Sequence, residues 1–231
     1  MALYTIADLH LSTFTDKPMD IFEGWHDYTA RLIKNWEMLI KDDDVVVIPG
    51  DLSWAKNMEE ALSDFTLLHE LKGKKILLKG NHDYWYATAT KTRNWLNQNG
   101  LNSISVLNNN SFMVGDIGIA GTRGWNLDRS SREDMKIYNR EVQRLQLSLE
   151  DAKKNEPSEI IVFLHYPPVY PTYDHEEIIE LLVSYNVRRC YYGHVHGKNS
   201  IKSAMIGEKH NIYFKLISAD YLRFLPLLVE K

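Results

Sequence analysis

"LLKGNHDYWY", Leu77 to Tyr86, runs from an apolar, strand-like segment straight into Gly80-Asn81-His82-Asp83. Glycine, asparagine and aspartate are common turn residues, so the stretch taken alone reads as a polar turn. Its meaning changes when the ends of the other apolar runs are set beside it. "ALYTIAD" (Ala2 to Asp8) leads into Asp8-Leu9-His10, and "DVVVIPGD" (Asp44 to Asp51) ends in Gly50-Asp51. "SEIIVFLHYPP" reaches His165 as its apolar run stops, and "VRRCYYGHVHG" ends in Gly193-His194-Val195-His196. A lone histidine at a strand end is more often a hydrogen-bonded core residue than a ligand. Five endings that together deliver three aspartates, an asparagine and five histidines point to one shared site.

The elements between these runs set the fold class. Trp25, Tyr28, Leu32, Trp36, Leu39 and Ile40 recur at helical spacing, as do Met58, Ala61, Leu62, Phe65 and Leu68. Tyr84 to Asn99 reads as a further helix closed by Gly100, and Arg132 to Lys154 as a long amphipathic one. A shorter helix is expected over Glu176 to Tyr185. "SISVLNNNSFMVGDIGIAGTRGW" reads as short strands with turns at Asn108-Asn109 and Gly115-Asp116, and Ser200 to Ile217 as a hairpin or meander. Strand-helix alternation predicts an α/β protein with a parallel or mixed sheet, read as one domain over residues 1–231. In such sheets the carboxyl ends of the strands line the ligand crevice.

The side chains gathered there suit divalent metal. Neutral imidazole favours zinc, iron and nickel, while carboxylate and amide oxygens suit harder ions such as manganese. A carboxylate can bridge two ions about 3.5–4 Å apart. In extended backbone, residues i and i+2 face one side, so Asp8 with His10, and His194 with His196, are expected to reach one cluster. Gly50, Gly80 and Gly193 each precede a candidate ligand, where a missing side chain lets the backbone turn and approach closely.

Composition narrows the function classes. The chain has 231 residues, 44% hydrophobic and 25% charged, with a formal charge of −4. That balance gives no electrostatic case for nucleic acid or an anionic membrane as partner. The single cysteine, Cys190, cannot form an internal disulfide and reads as a buried small hydrophobe. The first residues, "MALYTIADLHLS", have no basic n-region, and no stretch approaches the roughly 18 apolar residues of a membrane span. A cytoplasmic protein is expected; oligomeric state is not legible.

The motifs D-x-H, G-D, G-N-H-D, H and G-H-x-H, in this order from Asp8 to His196, resemble the calcineurin-like metallophosphoesterase superfamily. The resemblance implies a four-layer α-β-β-α sandwich, two mixed sheets face to face between helices, and a dinuclear centre. It implies that Asp8, His10 and His196 hold one metal, Asn81, His165 and His194 the other, and that Asp51 bridges them. His82 is then not a ligand but a catalytic residue, contacting phosphate and protonating the leaving oxygen. Asp83 either orients His82 or caps the helix expected from Tyr84. The implied cofactors are two divalent ions among manganese, iron, zinc and nickel.

Departures narrow the subfamily. Protein serine/threonine phosphatases extend the second motif with Asp-Arg-Gly, where this chain reads "GDLSWAKNM". Purple acid phosphatases place a metal-binding tyrosine where this chain has Trp54. What remains resembles a small bacterial-type phosphohydrolase acting on a monoester or diester. A nuclease of the same superfamily or a non-catalytic scaffold are the alternatives. The first needs a basic groove, and the second typically loses ligands that are all present here. Arg123, in a glycine-rich loop with Arg129 and Arg132 that is expected to be exposed, is a candidate substrate contact, and "HYPPVYPTYDH" a candidate aromatic wall. His26, His69, His175 and His210 lack motif context and read as surface or capping residues; "KGKKILLK" reads as a solvated helix-strand junction.

Overall fold

The apolar runs and amphipathic segments fold into alternating strands and helices in the computed structural model, which describes all residues except 16, 18 and 127–130. In chain order the elements are β1 (Leu3–Thr5), α1 (Tyr28–Leu39), β2 (Val45–Pro49), α2 (Met58–Glu70), β3 (Lys74–Leu78) and α3 (Ala89–Gln98). Then follow β4 (Ile104–Val106), β5 (Phe112–Val114), β6 (Ile117–Thr122), α4 (Arg132–Lys153), β7 (Glu159–Leu164) and α5 (Glu176–Ser184). The chain closes with β8 (Arg189–Tyr192), α6 (Lys198–Ile201), β9 (Gly207–Lys209), β10 (Ile212–Leu216) and β11 (Leu227–Glu230).

Two mixed sheets result, with strand orders β11-β1-β2-β3-β4 and β5-β6-β7-β8-β10-β9. The interior pairings are parallel, while β11, β5 and β9 pair antiparallel at the margins. The layering follows from period-two side-chain alternation in strands buried on both faces. In β2, Val45 and Val47 join Leu3, Ile76, Leu78, Ile119, Ile161 and Phe163 in the core between the sheets. Val46 and Ile48 point the other way, against Leu32 and Trp36 of α1 and Phe65 and Leu68 of α2. On the outer face of the second sheet, Val162, Leu164 and Cys190 meet Tyr138, Leu145 and Leu149 of α4 and Ile178 and Leu182 of α5. Three apolar interfaces separate four layers, the sandwich expected of the motif order. Burying each such aliphatic side chain contributes about 1.5–3 kcal/mol.

Several boundaries differ from the sequence reading. The helix expected from Tyr84 begins at Ala89, because Thr88 caps it by accepting the Lys91 N–H. The preceding residues are held elsewhere: the Trp85 indole donates to Asp83 at 2.9 Å and packs edge-on against Phe65. The tail contains the expected hairpin, β9-β10, but β10 also runs parallel to β8, and α6 and β11 were not anticipated. Lys75 is not solvated but fully buried, its ammonium donating to the Leu71 carbonyl. Cys190 is buried as expected, and burial pushes its thiol up. Among the described residues no helix is long and apolar enough to cross a membrane.

Candidate metal centre

β1, β2, β3, β7 and β8 bring their carboxyl ends to one edge, and the loops that leave them turn sharply. Asp8 (φ 60°), His10 (φ 47°), Asp51 (φ 53°) and His194 (φ 69°) all adopt left-handed backbone. This corrects the expectation of extended Asp8-x-His10 and His194-x-His196 segments: left-handed residues, not strand alternation, aim these side chains inward. Aspartate and histidine tolerate this region better than most residues, and such strain clusters at functional sites. Gly50 (φ +92°) is required by close approach as well, since a Cβ there would lie 2.6 Å from the Gly80 Cα.

The loops meet in a connected polar cluster. His10 Nε2 lies 3.3 Å from His196 Nε2, which is 3.4 Å from Asp8 Oδ1. On the other side, Asn81 Oδ1 lies 2.6 Å from His165 Nε2 and 2.9 Å from His194 Nδ1. Asp51 faces both halves, its Oδ2 being 3.5 Å from His165 Nε2 and 3.9 Å from His10 Nε2. Asp8, His10 and His196 have donor atoms within 4.8 Å of one another, and so do Asp8, Asp51 and His165.

Proton placement shows why these groups fit a cation. The Pro49 carbonyl, 3.0 Å from His165 Nδ1, can only accept, so Nδ1 carries the proton of a neutral ring. Burial pushes His165 down to about 3, so the ring is neutral near pH 7 and Nε2 offers a bare lone pair. That lone pair confronts the Asn81 carbonyl oxygen, also an acceptor, with the Asp51 carboxyl beside them; a cation there turns the repulsion into ligation. His194 is likewise lowered by burial to about 4, and burial holds His10 well below the ordinary histidine value. Asp51 is pushed up to about 9 by burial and by the carboxylates of Asp83 and Asp8. Burial penalises the Asp8 charge too, but the His196, His165 and His10 rings hold it below the usual carboxylate range. His196 is raised to about 10, because Asp8 and Asp220 outweigh its burial.

Two carboxylates hold the cluster from outside. Asp83 accepts N–H groups from Gly80 (2.7 Å), Asp51 (2.8 Å) and Leu52 (2.9 Å), besides the Trp85 indole. It therefore neither caps a helix nor bonds to His82; it clamps the loop after β2 to the loop after β3. Asp220 lies 3.1 Å from His196 Nδ1 and accepts the Gly197 N–H, fixing the ring so that Nε2 faces Asp8. Asp220 lies beyond the last motif, and no spacing signal marked it. The Asp51 Oδ1 accepts the backbone N–H of His82 at 2.8 Å.

The remaining candidates separate cleanly. His82 packs against Trp54 (centroids 4.6 Å apart) and lines a cavity of about 380 Å³ with His10, His196, Trp25, Trp54 and Phe22. Burial, then the charges of Lys17 and His196, lower its pKa. Arg123 is not an exposed loop residue: its side chain is 18% exposed, 3.6 Å from Glu141 and stacked on Trp125. Arg132 begins α4, and Arg129 lies outside the described residues. Of the proline-rich loop, Tyr166 lies against His194, whereas Tyr170 and Tyr173 stack on each other. His175, expected at the surface, is fully buried and stacked on Tyr138.

Two facing mixed sheets with imidazoles, carboxylates and an amide at their strand ends define an α/β sandwich with a candidate metal centre. A family model described as calcineurin-like phosphoesterase matches residues 1–198, and the chain belongs to that family. Over 86 residues it is 31% identical to an uncharacterized protein of Methanocaldococcus jannaschii, the match spanning 35% of this chain and 46% of that protein, about half its length. Solved structures share the fold. A protein of unknown function from Aquifex aeolicus superposes with a TM-score of 0.52 at 16% identity, covering 98% of this chain and 94% of that one. The phosphopantetheinyl hydrolase of Mycobacterium tuberculosis gives 0.52 at 14% identity, with 99% and 95% coverage.

Proposed function

We propose that this protein is a phosphoesterase that works with two divalent metal ions and hydrolyses a small phosphate monoester or diester. The observation that carries the reading is the position of Asp51, whose Oδ2 faces His10 on one side and His165 on the other. Asp8, His10 and His196 would hold one ion, Asn81, His165 and His194 the second, and Asp51 both. When bound, such ions supply Lewis acidity, which acidifies water and neutralises charge on a phosphoryl group.

The chain's own residues supply the rest. Asp83 and Asp220 fix the ligand loops before substrate arrives, so little reorganisation is needed when it binds. His82 borders the cavity next to His10 and His196 without a carboxylate partner among the described residues. An arriving phosphate anion favours its imidazolium form, which can then donate a proton to the leaving oxygen. Trp25, Trp54 and Phe22 offer apolar walls to the organic part of the ester.

The test is a panel of phosphomonoesters and phosphodiesters assayed on metal-stripped protein, with Mn²⁺, Fe²⁺, Zn²⁺, Ni²⁺ and Mg²⁺ restored singly. Turnover that returns with metal and is lost in Asp51→Asn supports the reading. Turnover by the stripped protein, or two tightly bound ions in Asp51→Asn, overturns it.

A further inference from the structure

A second cavity, of about 330 Å³, lies behind the ligand loops and is lined by Lys79, Tyr86, Thr88, Arg123, Glu141 and Arg144. Its volume is in the range of small-molecule sites. Among the described residues, three cationic side chains meet one carboxylate there. Glu141 is fully occupied: one oxygen accepts from the Thr122 hydroxyl at 2.5 Å, and the other lies 2.9 Å from Arg144 and 3.6 Å from Arg123. Lys79 has no acidic partner among the described residues, its ammonium lying 5.2 Å over the Tyr86 ring. Two further donors on the lining, Arg123 Nε and the Tyr86 hydroxyl, are buried without a hydrogen-bond partner among the described residues. The amino end of α3, at Thr88 and Ala89, adds its dipole to the same wall.

An excess of positive charge and buried unpaired donors is costly unless an anion completes it. We infer that this cavity binds an oxyanion of the phosphate class, at a site distinct from the metal cluster. The two sites share a wall of backbone. Lys79 immediately precedes Gly80-Asn81, and the Arg123 carbonyl accepts the N–H groups of His165 (3.2 Å) and Tyr166 (2.9 Å). The oxyanion is either a second, non-reacting phosphate carried by the substrate or free phosphate. Only the first of these sources rests on the phosphoesterase reading; the binding itself does not.

Calorimetric titration of metal-free protein with inorganic phosphate tests the inference without interference from the metal centre. One saturable site is expected. Lys79→Gln and Arg144→Gln should each weaken it about tenfold, in line with the loss of one charge-assisted hydrogen bond. Glu141→Gln, which keeps a side-chain oxygen for Thr122 while removing the competing charge, should tighten it several-fold, a gain that misfolding cannot imitate. Absence of saturable binding, an adventitious weak ion insensitive to all three substitutions, or weakening by Glu141→Gln would overturn the proposal. The source is then read on the metal-loaded enzyme from the KM ratio of an ester bearing a second phosphate to one without. A ratio raised by Arg144→Gln assigns the site to the substrate, and a ratio equal to wild type assigns it to free phosphate. Failure to hydrolyse either ester would count against the phosphoesterase reading and leave the titration result standing.

Discussion

Replacing Asp83 by asparagine changes one atom and should loosen both loops that carry the candidate metal ligands. The carboxylate takes Gly80 and Asp51 N–H groups on Oδ2, and the Leu52 N–H and Trp85 indole on Oδ1. An asparagine amide in either orientation presents its NH₂ to two of these donors, so two bonds are lost and two donors are left facing a third. Hydrogen bonds to a charged acceptor contribute about 1.5–3 kcal/mol each, giving a gross loss of about 3–6 kcal/mol. Part is offset, because burial raises the Asp83 pKa and the substitution removes a carboxylate beside Asp51. A net loss of about 3 kcal/mol corresponds to a Tm lower by about 6–12 °C for a chain of this length. Calorimetric melting in excess EDTA measures this without the stabilisation that bound metal adds by mass action. The metal content of the variant at saturating Mn²⁺ should also fall. A Tm within about 2 °C of wild type, with activity lost, would refute the clamp and return Asp83 to a role in orienting His82.

The other predictions concern His82 and Lys75. His82→Ala should retain both metals by elemental analysis while losing on the order of 10²–10⁴-fold in rate, with a smaller deficit for nitrophenyl esters, whose leaving group needs little protonation; loss of a metal would make His82 a ligand instead. Burial lowers Lys75 to about 8 from the ordinary lysine value of 10.5, so the folded protein releases this proton before the unfolded chain does. The resulting penalty is full below pH 8 and fades as pH rises toward 10.5, so Lys75→Met should gain most over wild type in denaturant midpoint below pH 8 and progressively less above it; a difference flat in pH would show that the ammonium is solvated.

Much of the fold was legible because burial on two faces leaves a direct mark. "VVVIP" in β2 can be apolar throughout only if both of its faces are covered, and the structure divides its side chains between two cores. The strand ends were legible for the same reason, since charged and imidazole side chains stand out where an apolar run stops. Their conformation was not. Strand alternation would bring Asp8 and His10 together, but β1 ends at Thr5 and both residues turn through left-handed backbone. The two geometries aim the side chains to the same place, and no residue type separates them, because aspartate and histidine occupy either.

What stayed hidden depends on contacts between segments far apart in the chain. Asp220 sits 24 residues beyond His196 in "ISADYL", a context with no metal-site signature, and its role exists only because Ile217 and Ala219 pair with Ala7 at the head of the ligand loop. The same holds for Arg123. Read as an exposed arginine in a glycine-rich loop, it is instead held beside α4 by Glu141, 18 places later in the chain. Glu141 is almost entirely buried. A buried carboxylate needs cations, and the cations it gathers exceed it in charge. The surplus is why the cavity behind the ligand loops calls for an anion of its own, and charge-altering substitutions there should move phosphate affinity in opposite directions at Glu141 and Arg144.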